Sequence, residues 1–110
     1  MTDVLEQLVQ VLEQRRSADP ADSYVAQLHH SGLNKILEKV GEEATEVILA
    51  AKDVQGEQGR QALVGEVADL MFHCMVMLSH LDMELNEVLD CLGERFGVSG
   101  LEEKAARNPD

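Results

Sequence analysis

A chain of 110 residues and 12.1 kDa has room for one domain, residues 1–110, and for no second core. With 45% hydrophobic residues it is composed to fold; with 3% aromatics and no Trp, its core must be Leu, Val, Ile, Met and Ala, which suits helices better than a sheet. Nine Lys and Arg against 21 Asp and Glu leave a formal charge of −12, which excludes a basic groove for nucleic acid polymers or a surface for anionic lipid.

Thr2 and Asp3, with Glu6 following, open a first helix whose apolar residues Val4, Leu5, Leu8, Val11 and Leu12 recur at helical spacing to about Arg16. Ser17 to Asp22 breaks it, because Pro20 biases Asp19 away from helix. Ser23 caps a short helix from Tyr24 to about His30, with His29 and His30 facing solvent, and Ser31-Gly32 ends it.

From Leu33 to Lys52 the apolar set Leu33, Ile36, Leu37, Val40, Ala44, Val47, Ile48 and Ala51 follows one helical face. Asp53 to Gly59 is a glycine-containing loop, and a second long helix runs from about Arg60 to Leu81. Beyond Leu70 that helix is apolar almost all round. Leu70 to Leu78, with Met71, Met75, Met77 and Met83, therefore asks for cover on every side, at the centre of a bundle or in a subunit interface, and the Met-rich run argues for burial between subunits. An amphipathic helix, Glu84 to Phe96, and a polar tail, Leu101 to Asp110, complete an all-α chain. A domain this small buries only about two-thirds of its unfolded surface, so oligomerisation would help it.

Cys74 and Cys91 lie in helical patterns without a CxxC and read as small apolar residues in a reducing compartment. No signal peptide and no apolar run near ~18 residues is evident, so the expectation is a cytoplasmic protein without a membrane.

The acids gather in two places: Gly41 to Glu46 (GEEATE) and Gly65 to Asp69 (GEVAD). Advancing about 100° per residue puts Glu42, Glu43 and Glu46 on one flank of the first apolar stripe, with Lys35 and Lys39 beside them. The same construction puts Glu66 and Asp69 on one flank of the next helix, with His73 a turn further on. Glu43 and Glu46 are i, i+3, as are Glu66 and Asp69, so each pair points at one spot. An antiparallel hairpin would let the pairs face each other, and close carboxylates repel by about 4 kcal/mol even at an effective dielectric near 20. A divalent cation removes that cost. The plain alternative is a solvated acidic face, and periodicity alone leaves both readings open.

Oxygen-only donors suit Mg²⁺ or Mn²⁺ rather than Zn²⁺. A ferritin-like di-iron centre needs Glu three residues before His, and no histidine here has an acid at that position. Gly41 and Gly65 each cost a helix roughly 1 kcal/mol relative to Ala, for which close packing on another helix is one reason.

Glu42-Glu43-x-x-Glu46, then residues 47 to 65, then Glu66-x-x-Asp69 resembles the EExxE…ExxD signature of the all-α nucleoside triphosphate pyrophosphohydrolases, the MazG-like superfamily. The stretches SYVAQLHHSGLNKILEKVGEEATEVILAAK (Ser23 to Lys52), LVGEVADLMFHCMVML (Leu63 to Leu78) and SGLEEKAAR (Ser99 to Arg107) resemble more closely the phosphoribosyl-ATP pyrophosphohydrolase family of histidine biosynthesis. Only the first helix is generic. The resemblance implies a MazG-like helical bundle: a long antiparallel helix pair with short flanking helices, its core completed by homodimerisation.

It further implies that Glu43, Glu46, Glu66 and Asp69 bind Mg²⁺, with Mn²⁺ as substitute. Glu42 would stand beside them as a second-metal ligand or as acceptor for the attacking water's proton. The implied reaction is hydrolysis of the α–β phosphoanhydride of phosphoribosyl-ATP. Lys35, Lys39 and Lys52 are then candidates for phosphate contacts, and Ser23 and Tyr24 for holding ribose or base. The plain alternative for the lysines is i, i+4 pairing with nearby Glu; for His73, an interior histidine stands against a hydrogen bond to a ligand carboxylate. Val25 stands where the family often has Thr, and Glu38 where a basic residue is common, so a phosphate role at those positions is doubtful. A house-cleaning pyrophosphatase of (d)NTPs and a non-catalytic helical dimerisation module are the competing readings.

Overall fold

The computed structural model describes residues 2–97, without the side chains of Thr2 and Asp3; the Ser99 to Arg107 block and the tail lie outside the described residues. All regular structure among the described residues is helical: α1 (Thr2–Arg16), α2 (Tyr24–Ser31), α3 (Leu33–Lys52), α4 (Gly56–His80) and α5 (Leu85–Phe96).

Local chemistry sets most of these boundaries. Ser23 Oγ accepts the Ala26 N–H at 3.2 Å and so caps α2. Gly32 serves two helices at once: its N–H donates to the Leu28 carbonyl at 3.1 Å, and its own carbonyl accepts the Ile36 N–H at 3.2 Å. That double duty needs φ +101°, a conformation that favours glycine. The turn between α3 and α4 is shorter than the glycines led one to expect. Gly56, at φ +66°, does not extend a loop to Gly59 but reverses the chain at once, and α4 starts there, four residues before Arg60.

α3 and α4 form the long hairpin, and α1 and α2 pack across it. Leu12 from α1, Val25 and Leu28 from α2, Ile36 from α3, and Met75 and Val76 from α4 make one buried cluster, in which Ile36 and Val76 are wholly enclosed. Arg16 ties the end of α1 to the end of α4: Nη1 donates to the Ser79 carbonyl at 2.7 Å and to Asp82 Oδ1 at 3.0 Å. This places a cation at the C-terminal end of α4, the negative end of its dipole, on a carbonyl that also accepts the Asp82 N–H at 2.9 Å.

Five sequence expectations are corrected. First, the centre of the Leu70 to Leu78 segment is not left for another subunit. His73, Met75 and Val76 are buried inside the chain, because α1 and α2 lie against the very faces that periodicity showed to be apolar. Second, α4 is long and apolar enough to cross a membrane by length and composition. A count of uninterrupted apolar residues stops at Glu66 and Asp69, whereas mean hydropathy over a window does not. Third, His29 does not face solvent. Its Nδ1 lies 3.0 Å from His80 Nδ1 with the rings stacked, and burial, followed by Arg16 and His80, lowers its pKa; His30 is exposed. Fourth, a Cβ at Gly41 or Gly65 would meet nothing within 4 Å, so the close helix approach considered for them is not made within this chain. Fifth, Cys91 is exposed, so packing as a small apolar residue describes only Cys74, whose thiol pKa burial raises.

Candidate metal centre

The acids project from the middle of the α3–α4 hairpin. Its antiparallel course sets the Glu43 turn of α3 beside the Glu66 to Asp69 turn of α4, and one carboxylate oxygen each from Glu43, Glu66 and Asp69 lie within 4.8 Å of one another. Three of the four expected acids therefore meet. Glu46 does not join the triplet; it is exposed, one turn along α3, though close enough for its charge to act on Glu66. Glu43 and Glu66 are half-buried and Asp69 is exposed.

Loss of surrounding water raises the Glu66 pKa, and the charges of Glu46, Asp69 and Glu43 add to the effect. A carboxyl whose folded-state pKa exceeds its unfolded value contributes stability below the unfolded pKa and loses it as pH rises through the folded one. At neutral pH the metal-free cluster is therefore a source of strain. Glu66→Gln is expected to raise the melting temperature in EDTA at pH 7 and to flatten its rise as the pH is lowered toward the carboxylate range. Thermal scans at several pH values measure both.

The donor set fits a hard divalent cation: all oxygens, concentrated charge, and no nitrogen or sulfur donor in the group. The apolar cleft of about 300 Å³ between α1, α4 and residues 83–86 is lined by none of these acids.

The remaining candidates separate clearly. Lys39, half-buried, stands at the rim, 3.3 Å from Glu42 Oε1 and 3.8 Å from Glu43 Oε2. The hydrogen bond to Glu42 is the chief cause of its raised pKa, with the Tyr24 phenol next. Glu42 is exposed and held by Lys39. Lys35 pairs with Glu38 at 2.8 Å on the exposed face, and that bond raises the Lys35 pKa; Lys52 ends α3, also exposed. Ser23 uses its hydroxyl as the α2 cap. Val25 belongs to the core and Glu38 to the pair with Lys35.

Tyr24 is half-exposed and its hydroxyl lies 2.9 Å from His73 Nε2, while His73 Nδ1 lies 2.8 Å from the Asp69 carbonyl. His73 is thus interior, and it bonds the backbone of a cluster residue rather than a carboxylate. The Tyr24–His73 bond, linking residues far apart in sequence, had no signal in the sequence beyond the position of His73 one turn after Asp69. Residues 5–96 match the family model described as phosphoribosyl-ATP pyrophosphohydrolase.

Proposed function

The chain belongs to the phosphoribosyl-ATP pyrophosphohydrolase family and is a hydrolase of phosphoanhydride bonds acting in histidine biosynthesis; on that premise we propose a Mg²⁺-dependent cleavage of the α–β anhydride of phosphoribosyl-ATP, releasing phosphoribosyl-AMP and pyrophosphate. The observation that carries the metal dependence is the convergence of Glu43, Glu66 and Asp69 within 4.8 Å. These three would hold the ion, with Glu46 reaching it through a change of side-chain rotamer and Mn²⁺ accepted by the same donors. When bound, the ion supplies charge neutralisation at the phosphate oxygens and a lowered pKa for bound water.

The chain's own groups divide the remaining work. Lys39 Nζ offers positive charge to a phosphate at the rim of the cluster, as a point charge without strict geometry. Lys35 and Lys52 are exposed at either end of α3, more distant aids to an anionic substrate. Glu42, whose carboxylate is exposed beside Lys39, accepts the attacking water's proton. Tyr24 contacts the sugar or base, and Ser23 sets where α2 begins and so where Tyr24 stands. Phosphoryl transfer asks mainly for positioning and charge stabilisation, which this set provides.

The core is completed by a second copy. Leu37, Ala44 and Ile48 on α3, and Val64, Val67 and Met71 on α4, fall by helical advance on the side of the hairpin away from the acids, and all but Ala44 are exposed. The radius of gyration is 16.7 Å, against about 13 Å for a compact domain of this size. Both features support a homodimer that covers the α3–α4 face. The charge of −12 supports a small-molecule substrate over a nucleic acid polymer, and the acids within α4 support a cytoplasmic location over a membrane span.

The test is a pyrophosphate-release assay on phosphoribosyl-ATP beside a panel of NTPs and dNTPs, with Mg²⁺ and with EDTA. Preference for phosphoribosyl-ATP that vanishes in EDTA is expected. Preference for dNTPs would support the house-cleaning reading, and no release from any substrate the dimerisation module.

A further inference from the structure

We propose that His73 is a positioning residue: it fixes the Tyr24 hydroxyl as a hydrogen-bond acceptor that takes a hydroxyl of the substrate's ribose. The inference rests on the reading of this site as one that takes phosphoribosyl-ATP.

The direction of each hydrogen bond follows from the partners. A carbonyl oxygen only accepts, so the contact of 2.8 Å between His73 Nδ1 and the Asp69 carbonyl puts the ring proton on Nδ1. In a ring carrying that one proton, Nε2 has the lone pair and, at 2.9 Å, accepts the Tyr24 O–H. The phenol has one proton and that proton is committed. What its oxygen presents outward is lone pairs, which accept from a donor and repel another acceptor such as a phosphate oxygen.

Position gives this a use. Tyr24 is 45% exposed, and its ring stacks on Phe72 with centroids 6.1 Å apart. Lys39 lies one turn before Glu43 on α3, and His73 one turn beyond Asp69 on α4. In an antiparallel hairpin these are the same level, one helical pitch, about 5.4 Å, along from the acids. A substrate whose phosphates lie at the acid triplet would bring its sugar to this level, where hydroxyl donors meet a fixed acceptor. His73 is 5% exposed and bonded through both ring nitrogens, so the arrangement is held by the fold rather than chosen by the ligand.

Tyr24 is the chain's only tyrosine and there is no Trp, so the near-ultraviolet spectrum reports this phenol without interference. His73→Leu and Tyr24→Phe are each expected to raise KM for phosphoribosyl-ATP about 3- to 10-fold, the worth of one neutral hydrogen bond, with kcat changed less than KM. The double variant should be no worse than either single one. His73→Gln, whose Oε1 can accept from Tyr24, should restore most of the affinity, and the Tyr24 absorption band should shift to shorter wavelength in His73→Leu but not in His73→Gln. An unchanged KM in His73→Leu, or effects that add in the double variant, overturns the proposal. If the wild-type protein releases no pyrophosphate from phosphoribosyl-ATP, the functional reading fails instead, and an unshifted band in His73→Leu would by itself overturn the positioning role.

Discussion

Asp69→Asn and Glu43→Gln are each expected to reduce pyrophosphate release from phosphoribosyl-ATP by about two to three orders of magnitude while leaving the far-ultraviolet circular dichroism of a helical protein in place. The size follows from the several kcal/mol that a bound metal contributes to charge stabilisation, at about 1.4 kcal/mol per factor of ten. The fold should survive because neither side chain belongs to the buried cluster. Each substitution also removes a charge from a repelling triplet. Glu46→Gln should cost about as much as either, although Glu46 stands outside the group of three oxygens that lie within 4.8 Å of one another, because the proposed ion draws its side chain in. A clearly smaller loss at Glu46 than at Glu43 and Asp69 would mean that Glu46 does not swing in when the ion binds. Near wild-type turnover in Asp69→Asn and Glu43→Gln would remove the metal proposal altogether.

Two isoleucines of α3 should respond in opposite ways. Ile36→Ala is expected to cost about 2–5 kcal/mol at any protein concentration, because Ile36 is fully enclosed by the chain's own α1, α2 and α4 and truncation leaves a cavity. Ile48 is 59% exposed and Val64 is 69% exposed within one chain, so a monomer would tolerate Ile48→Asp and Val64→Asp with changes of about 0.5 kcal/mol or less. If a second copy covers the α3–α4 face, a charge at either position should instead halve the mass in solution, from twice 12.1 kDa to 12.1 kDa. Sedimentation equilibrium and chemical denaturation at two protein concentrations read the two effects separately. A wild-type protein that sediments at 12.1 kDa at all concentrations ends the dimer proposal.

The all-α class, the hairpin of two long helices and the acidic turns at Glu43 to Glu46 and Glu66 to Asp69 were legible in the residues. Helical periodicity is a local property: each side chain's direction around its own axis follows from a fixed advance per residue. Tight turns were less legible, since Gly56 marks a helix start and a loop with the same letter.

What only the tertiary structure decided is how the helices lie against one another. The axial offset of α3 against α4 brings Glu43, Glu66 and Asp69 together and leaves Glu46 a turn aside, and no wheel drawn on one helix contains that offset. The seating of α2 on α4 brings Tyr24 to His73 and His29 to His80, and it buries Met75 and Val76 within the chain. These are set by packing around Ile36 and Val76, where close-packed side chains admit few relative placements of rigid helices. The sequence by itself determined which groups carry charge and which way each points along its helix; the packing determined which of them meet.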